Sequence, residues 1–308
     1  MAYTRTPDTI VYHGNCQDGF TGAWIAHKKF GDYPDYVPGF HNKPRASDDM
    51  FAGKDVVFID FTYKKSIMKE IALLAKSVVI LDHHKSAVED LDEFPDFTVG
   101  DEASFDVAWE WAEEVGNRVM AGFDIYRSGA MLAWNFFFPS DPSPLIVNYV
   151  QDRDLWRFEL TGTREISMWL FSFEYTWDNW DNAEIEIADN TLRDHVIFAG
   201  TAIERKHQKD IAELLPISTR WMKIEDHIVP VANMPYTMAS DAANILATDP
   251  TAKFGATYFI DSDGYANFSL RSLGFDVQEI AVRHGGGGHA KAAGFKILPH
   301  DMPQLWQT

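Results

Sequence analysis

Short apolar runs alternate with amphipathic stretches along the first half of the chain. Residues 10–13, 55–60 and 77–81 are apolar runs of strand length. Helices are predicted over residues 19–30, 65–75 and 128–138, the last of which Pro139 stops. This alternation, with short connections, is typical of a mostly parallel sheet covered by helices on both faces. We therefore predict an α/β fold whose N-terminal domain contains a parallel sheet.

The second half of the chain changes character at a charged, helix-prone stretch that ends at Pro216. Beyond it, short alternating strands are predicted at residues 228–232, 255–260 and 266–271. Asp263-Gly264 is a hairpin turn signal between the last two strands. The pattern predicts an N-terminal domain, a helical connector and a smaller α/β domain, over residues 1–185, 186–220 and 221–308.

Three successive predicted strands end in polar side chains: His13, Asp60 and Asp82. In open parallel sheets, ligands bind in the crevice outside the carboxyl ends of the strands. His83 and His84 directly follow Asp82. We therefore expect these imidazole and carboxylate groups to converge at one edge of the sheet.

Two further polar clusters lie farther along the chain. Asp152-Arg153-Asp154 follows an apolar run, and a run of four glycines ends at His289. Taken alone, each cluster has an ordinary explanation, because aspartates often cap helices or turns and glycine runs are usually flexible loops. Together, imidazole and carboxylate groups without thiolate pairs suit Mn²⁺, Fe²⁺ or Zn²⁺, and a carboxylate-rich set favours Mn²⁺. Two divalent cations, with manganese as the expected metal, would share a bridging carboxylate.

Charge and cysteine content narrow the expected partners and compartment. The 308 residues include 46 acidic and 27 basic ones, a net charge of −19, which disfavours binding to long nucleic acid. No apolar run approaches the roughly 20 residues that span a bilayer, so no membrane partner is expected. Cys16 has no second cysteine to pair with, which predicts a reducing compartment, the cytoplasm.

The motifs in their order along the chain resemble the DHH/DHHA1 phosphoesterase superfamily. The resemblance rests on Asp82-His83-His84 with the strand-end residues, on Ser269-Leu270-Arg271-Ser272, and on the glycine-rich stretch over residues 285–294. It spans nearly the whole chain and implies a catalytic, metal-binding DHH domain followed by a substrate-binding DHHA1 domain.

The resemblance also implies roles for individual residues around two metals. His13 is expected to bind the first metal, and Asp60 to bridge both. The second metal is then expected to be bound by Asp18, His83 and Asp152.

Further roles follow from the same resemblance, and two of them stay open. Asp82 is expected to orient the metal-binding histidine, and His84 to face the scissile phosphate. Asp154 competes with Asp152 for its metal role. Cys16 stands where the commonest family pattern has an aspartate. Cys16 either binds the first metal, which would make that site softer and oxidisable, or does not touch metal at all.

In the distal domain, the resemblance implies a clamp on a non-scissile phosphate. An arginine fork can bind phosphate oxygens, and glycines let backbone N–H groups approach them closely. The expected substrate-binding residues are Arg271, Ser272, Gly286, Gly287, Gly288 and His289.

Within the superfamily that the chain resembles, the compact size and acidic charge argue against the large exonuclease branch, and a compact member resembles the phosphodiesterases of short linear dinucleotides and nanoRNA. The alternatives are an exopolyphosphatase or pyrophosphatase-type activity, a 3′-phosphoadenosine phosphate phosphatase, and a cyclic-dinucleotide phosphodiesterase. A nucleotide sensor without turnover is a further alternative. The expected partner is a short phosphorylated nucleotide, and the oligomeric state is left open, with a homodimer as one alternative.

Overall fold

The computed structural model describes residues 5–41, 43–116 and 118–305. The chain divides into two compact units, Met1–Glu204 and Arg205–Thr308. Each unit contains its own sheet and its own hydrophobic core. None of the described helices is long and apolar enough to cross a membrane.

A parallel sheet forms the centre of the first unit, with strand order β2-β1-β3-β4-β5 among the described residues. The strands are β1 (Thr9–His13), β2 (Asp35–Gly39), β3 (Asp55–Ile59), β4 (Ser77–Asp82) and β5 (Val119–Phe123). β1, β3 and β4 are neighbours, so their carboxyl ends meet at one edge of the sheet. This confirms the predicted α/β fold with a parallel N-terminal sheet.

Helices cover both faces of this sheet. They are α1 (Gln17–Phe30), α2 (Lys65–Leu74), α3 (Lys85–Asp90), α4 (Glu102–Glu114), α5 (Gly129–Phe137), α6 (Leu145–Asp154), α7 (Thr163–Phe171) and α8 (Trp177–Ala188). Successive strand residues enter different cores: Ile10 packs in the core that contains α1 and α5, and Val11 in the core that contains α2. The strands β1, β3, β4 and β5 are therefore largely buried on both sides, which explains their apolar sequences.

A single 29-residue helix, α9 (Asn190–Ser218), occupies most of the stretch predicted as a connector. The boundary between the two units falls inside this helix, after Glu204. Pro216 lies in its last turn. The predicted domain limits therefore stay a prediction, because the helix belongs in part to each unit.

The second unit contains a mixed sheet of strand order β10-β11-β9-β8-β7-β6 among the described residues. Its strands are β6 (Thr219–Ile224), β7 (His227–Asn233), β8 (Gly255–Ile260), β9 (Ala266–Arg271), β10 (Gly287–His289) and β11 (Ala292–Ile297). The helices are α10 (Ala239–Leu246) and α11 (Gln278–Arg283). Gly264 has φ +83° in the turn between β8 and β9, as the predicted hairpin requires.

Candidate metal centre

The end of β1 and the start of α1 place His13 and Asp18 at the edge of the sheet. A side chain at Gly19 would put its Cβ 2.5 Å from the His13 carbonyl oxygen, so glycine is needed for this close turn. The Asp18 carboxylate accepts hydrogen bonds from the backbone N–H groups of Gly129 (2.6 Å) and Ala130 (3.1 Å). These groups belong to the first turn of α5, whose positive dipole end favours a carboxylate.

Asp60 follows β3 with an unusual backbone conformation. Its φ is +57°, in the left-handed region that most non-glycine residues avoid. Its backbone N–H donates to Leu81 O at 2.9 Å, which ties it to β4. A Cβ on Gly129 would lie 2.3 Å from the Asp60 Cβ. Only glycine at this position therefore lets the start of α5 lie so close to Asp60. The surrounding chain thus holds Asp60 in a strained position, a feature common at functional sites.

The Asp60 carboxylate lies between two histidines. Its Oδ1 is 3.1 Å from His83 Nε2, and its Oδ2 is 3.4 Å from His13 Nδ1. The ligand atoms of Asp18, Asp60 and His83 all lie within 4.8 Å of one another, and so do those of His13, Asp60 and His84. Asp60 belongs to both groups, which is the arrangement that a carboxylate bridging two cations requires.

Asp82, the last residue of β4, organises the turn that carries the two histidines. Its Oδ1 accepts hydrogen bonds from the His83 N–H (2.6 Å), the His84 N–H (3.0 Å) and His84 Nδ1 (2.7 Å). Burial opposes a charged His84 ring, but the charge and hydrogen bond of Asp82 raise the pKa of His84. Asp82 thus orients His84 and favours its protonated form. The expectation was that Asp82 orients His83, but its side chain bonds the ring of His84 and only the backbone of His83.

The two carboxylates at the end of α6 face different neighbours. Asp154 Oδ2 lies 3.5 Å from His83 Nε2. Asp152 instead accepts hydrogen bonds from the Glu159 N–H (2.9 Å) and from Thr163 Oγ1 (2.5 Å), which fastens the following loop to α7. Residues two apart on a helix point about 200° away from each other. The position expected for Asp152 is therefore corrected, because Asp154 is the carboxylate that joins the cluster.

The charges in this cluster are strongly coupled. Burial, together with the charges of Asp60 and Asp154, raises the pKa of Asp18 well above its usual range. Burial would also raise the pKa of Asp60, but the neighbouring imidazoles of His13 and His83 hold it well below its usual range. Burial disfavours a charged His83, yet Asp154, Asp60 and Asp18 raise the pKa of His83 to about 10. Three clustered carboxylates favour the binding of cations here.

The residues present fit a pair of divalent cations. Among the residues that the structure describes, the buried Nδ1 of His13 has no hydrogen-bond partner, although it faces Asp60. Buried polar nitrogens are normally satisfied, and a metal ion is one way to satisfy them. The donors are imidazole nitrogens and carboxylate oxygens, which suit Mn²⁺, Fe²⁺ or Zn²⁺.

Cys16 lies at the edge of the same cluster. Its Sγ donates to Asp60 Oδ2 at 3.5 Å. Burial and the nearby charges of Asp60, Asp154 and Asp18 raise the pKa of the Cys16 thiol well above its usual range. The thiol is therefore a hydrogen-bond donor to the shared carboxylate in this arrangement.

In the second unit, Arg271 and Ser272 make contacts within their own domain. Arg271 donates from Nη1 to Leu270 O at 2.8 Å and from Nη2 to Ser240 Oγ at 2.7 Å. Ser272 is 4% exposed, and its hydroxyl donates to Phe275 O. The expectation of a substrate contact from the Ser272 hydroxyl is therefore corrected, because that group is buried and bonded to the backbone.

The glycine run forms a strand, β10, paired with β11, instead of an open phosphate-binding loop. A Cβ on Gly286 would lie 1.9 Å from Gly294 O, and Gly288 has φ +136°. The Gly286 N–H donates to Ala281 O at 2.8 Å, so this N–H is not available to a phosphate in this arrangement. The close approach of the β11 backbone explains why glycine stands at positions 286 and 288. Gly287 pairs with Gly294 and His289 with Ala292, and the structure leaves their predicted substrate contacts untested.

The comparisons with known proteins concern the fold and the second unit. The fold is similar to that of a DHH domain from a member of a family of ribosomal proteins, with a TM-score of 0.50 and 12% identity over 97% of this chain and 84% of that chain. Residues 228–308 match the family model of the DHHA1 domain. Residues 228–308 therefore form a DHHA1 domain. In the first unit, Asp82-His83-His84 lies at the end of β4, inside the cluster described above.

Two other similarities extend over most of this chain. An uncharacterized protein of Acanthamoeba polyphaga mimivirus is 27% identical over 310 residues, which cover 93% of this chain. The chain spans 66% of the length of that relative. The pGpG-specific phosphodiesterase PggH of Vibrio cholerae matches 96% of this chain and 95% of its own, at 14% identity and a TM-score of 0.44.

Proposed function

We propose that this chain is a divalent-metal-dependent phosphodiesterase that hydrolyses short linear oligonucleotides and dinucleotides. The observation that supports the proposal most strongly is the shared position of Asp60 between His13 and His83. A carboxylate in this position can hold two cations close together, as two-metal phosphoester hydrolysis requires.

The proposed cofactor is a pair of divalent cations, with manganese as the first choice because the donor set is rich in carboxylates. His13 and Asp60 would hold the first cation, and Asp18, Asp60, His83 and Asp154 the second. When bound, the cations supply an activated water and neutralise phosphate charge.

Asp82 and His84 are the proposed residues for handling the scissile phosphate. Asp82 accepts a hydrogen bond from His84 Nδ1, which orients the ring. The raised pKa of His84 favours a protonated ring, which can donate a hydrogen bond to a phosphate oxygen. A proton held there can also stabilise the oxygen that leaves when the ester bond breaks.

The charge of the protein supports a short substrate. With a net charge of −19, the chain repels a long polyanion, whereas a dinucleotide can be bound locally where cations neutralise its phosphates. Arg271 and His289 of the DHHA1 domain remain the predicted contacts to a non-scissile phosphate. Arg271 suits that role because its planar guanidinium matches phosphate oxygens.

A substrate panel tests the proposal. Purified protein with Mn²⁺ is given pGpG, pApA, 3′-phosphoadenosine phosphate, cyclic dinucleotides and polyphosphate, and products are followed by chromatography. We expect the linear dinucleotides to be hydrolysed fastest, and hydrolysis to stop on addition of a chelator. Hydrolysis of polyphosphate in preference to dinucleotides would contradict the proposed substrate class. Binding of a nucleotide without turnover of any compound would favour a sensor.

A further inference from the structure

The loop that follows α6 contains two aromatic residues in an unfavourable backbone conformation. Trp156 has φ +57° and Phe158 has φ +54°, in the left-handed region that bulky side chains rarely adopt. The loop begins directly after Asp154, the carboxylate that joins the candidate metal centre. Strained residues of this kind persist only where the surrounding structure holds them, and they are common beside functional sites.

Hydrogen bonds fix this loop beside the metal centre. The Asp152 carbonyl oxygen accepts from the Arg157 N–H at 2.9 Å, and the Asp152 carboxylate accepts from a further backbone N–H of the loop. Arg157 Nη2 also donates to Tyr126 O at 2.6 Å, in the turn that leads into α5. α5 begins at Gly129, which lies against Asp60. The loop is therefore fastened to two segments that carry or contact the cluster.

Two guanidinium groups pack on the aromatic rings of this loop. Arg164, in the first turn of α7, places its Cζ 3.7 Å from the centre of the Phe158 ring. The Phe158 and Trp156 rings meet edge to face with centroids 5.0 Å apart, and the Arg153 Cζ lies 4.3 Å from the centre of the Trp156 ring. A guanidinium as close as that of Arg164 contacts the ring through its face, so the five N–H donors in its plane stay available.

The Arg164 side chain has no polar partner within the described part of the chain. It forms no hydrogen bond there and no ion pair with a carboxylate. The residue is exposed, in a chain that has 46 acidic and 27 basic residues. A planar guanidinium with available donors matches a phosphate group, which can accept two of its hydrogen bonds at once. The loop therefore presents a fixed cation beside the metal centre.

We propose that Arg164, positioned by Phe158, forms a phosphate-binding site in the first unit and holds a non-scissile phosphate of the substrate. This inference rests on the proposed function, because it assumes an oligonucleotide substrate. A linear dinucleotide with a 5′-phosphate has one non-scissile phosphate, for which Arg271 is the predicted contact. A trinucleotide with a 5′-phosphate has two, and the second of these is the one assigned to Arg164.

Substrates of two lengths test this assignment. Initial rates with Mn²⁺ give KM and kcat for pGpG and pGpGpG in wild type, Arg164→Ala and the control Arg118→Ala. Arg118 is also exposed, but it precedes β5 at the opposite edge of the sheet. We expect Arg164→Ala to raise KM for pGpGpG about tenfold, to change KM for pGpG by less than about twofold, and to leave kcat unchanged. Arg118→Ala should match wild type on both substrates.

Two variants of Phe158 check its positioning role. Phe158→Tyr keeps a ring against Arg164 and should match wild type. Phe158→Leu removes the ring and should raise KM for pGpGpG about threefold, with KM for pGpG unchanged. Circular dichroism and urea unfolding show that each variant is folded before its KM is compared.

Two results would overturn the assignment. Arg164→Ala could change KM for pGpGpG no more than Arg118→Ala does, or it could raise KM equally for both lengths, which would reject a second phosphate. Failure of the proposed function looks different. If wild type hydrolyses neither oligonucleotide, calorimetric binding with Mn²⁺ replaces KM. A tenfold loss of affinity confined to pGpGpG and Arg164→Ala would then keep this inference and reject the phosphodiesterase, whereas absence of binding would reject both.

Discussion

The strand-end cluster of the first unit and the glycine-rich hairpin of the second carry the chain's two most distinctive motifs, but different contacts account for them. In the cluster, side chains from β1, β3, β4 and α6 approach one another within hydrogen-bond or ion-pair distance. In the hairpin, Gly286 and Gly288 are needed because two backbones lie too close for a Cβ. The first motif is explained by chemistry, and the second largely by packing.

This difference teaches how to weigh motifs. Like charges held close together cost free energy, so a cluster such as Asp18, Asp60 and Asp154 favours the binding of a cation. Glycines cost little to bury, and a tight strand pair is enough to require them. The functional argument for this protein therefore depends mainly on the first unit.

Removing His83 should have the largest effect. We expect His83→Ala to lower kcat by about 10³-fold or more, because the second cation loses its imidazole ligand. The fold should remain, as measured by circular dichroism and thermal unfolding. Near-normal turnover by a folded His83→Ala protein would reject the two-cation proposal. The strand-end cluster would then no longer differ from the hairpin as a motif explained by chemistry.

The two aspartates of α6 separate metal binding from packing. Asp154→Asn should lower the affinity for one Mn²⁺ ion by about 10–100-fold and lower turnover, with little change in the free energy of unfolding. Asp152→Asn should lower the free energy of unfolding by about 1–3 kcal/mol, because buried donors such as Thr163 Oγ1 lose their carboxylate partner. Calorimetric metal titration and urea unfolding measure both properties. Weaker metal binding by Asp152→Asn and lower stability of Asp154→Asn would instead assign the metal role to Asp152.

The packing explanation of the hairpin predicts a stability effect. Gly286→Ala should lower the free energy of unfolding by about 1–3 kcal/mol, since its Cβ would overlap Gly294 O. Gly274→Ala is the matched control, because nothing lies within 4 Å of a Cβ at that glycine. Urea unfolding measures both variants. A Gly286→Ala protein as stable as its control would show that packing does not explain this glycine.

Arg271 should show the smallest effect of the series. Arg271→Ala is expected to raise KM about tenfold and to change kcat by less than about threefold, because the proposed contact of Arg271 is to a phosphate remote from the scissile bond. Arg283→Ala, whose side chain is 56% exposed, is the control. A loss confined to kcat would instead place Arg271 on the transition state.

Much of the first unit was predictable because its strands are apolar runs that end in polar residues. β3 and β4 were predicted nearly to their ends, and the convergence of His13, Asp60 and His83 followed from a parallel sheet. β2 was missed because it is a short edge strand that contains Pro38, and a proline in a run argues against a strand.

Other features depend on contacts that the sequence does not display. Asp152 and Asp154 are two residues apart at the end of one helix, and only the direction of each side chain decides between them. The glycines of β10 are typical of a flexible loop, so the sequence does not predict the hairpin of β10 and β11.

The most direct test of the central idea is the number of cations bound by Asp60→Asn. Asparagine keeps the shape of the side chain and tolerates positive φ, but it loses the charge shared between the two groups. Calorimetric titration with Mn²⁺ should show two ions for wild type and weakened binding of both ions for Asp60→Asn. Two ions bound by Asp60→Asn with wild-type affinity would contradict a bridging Asp60.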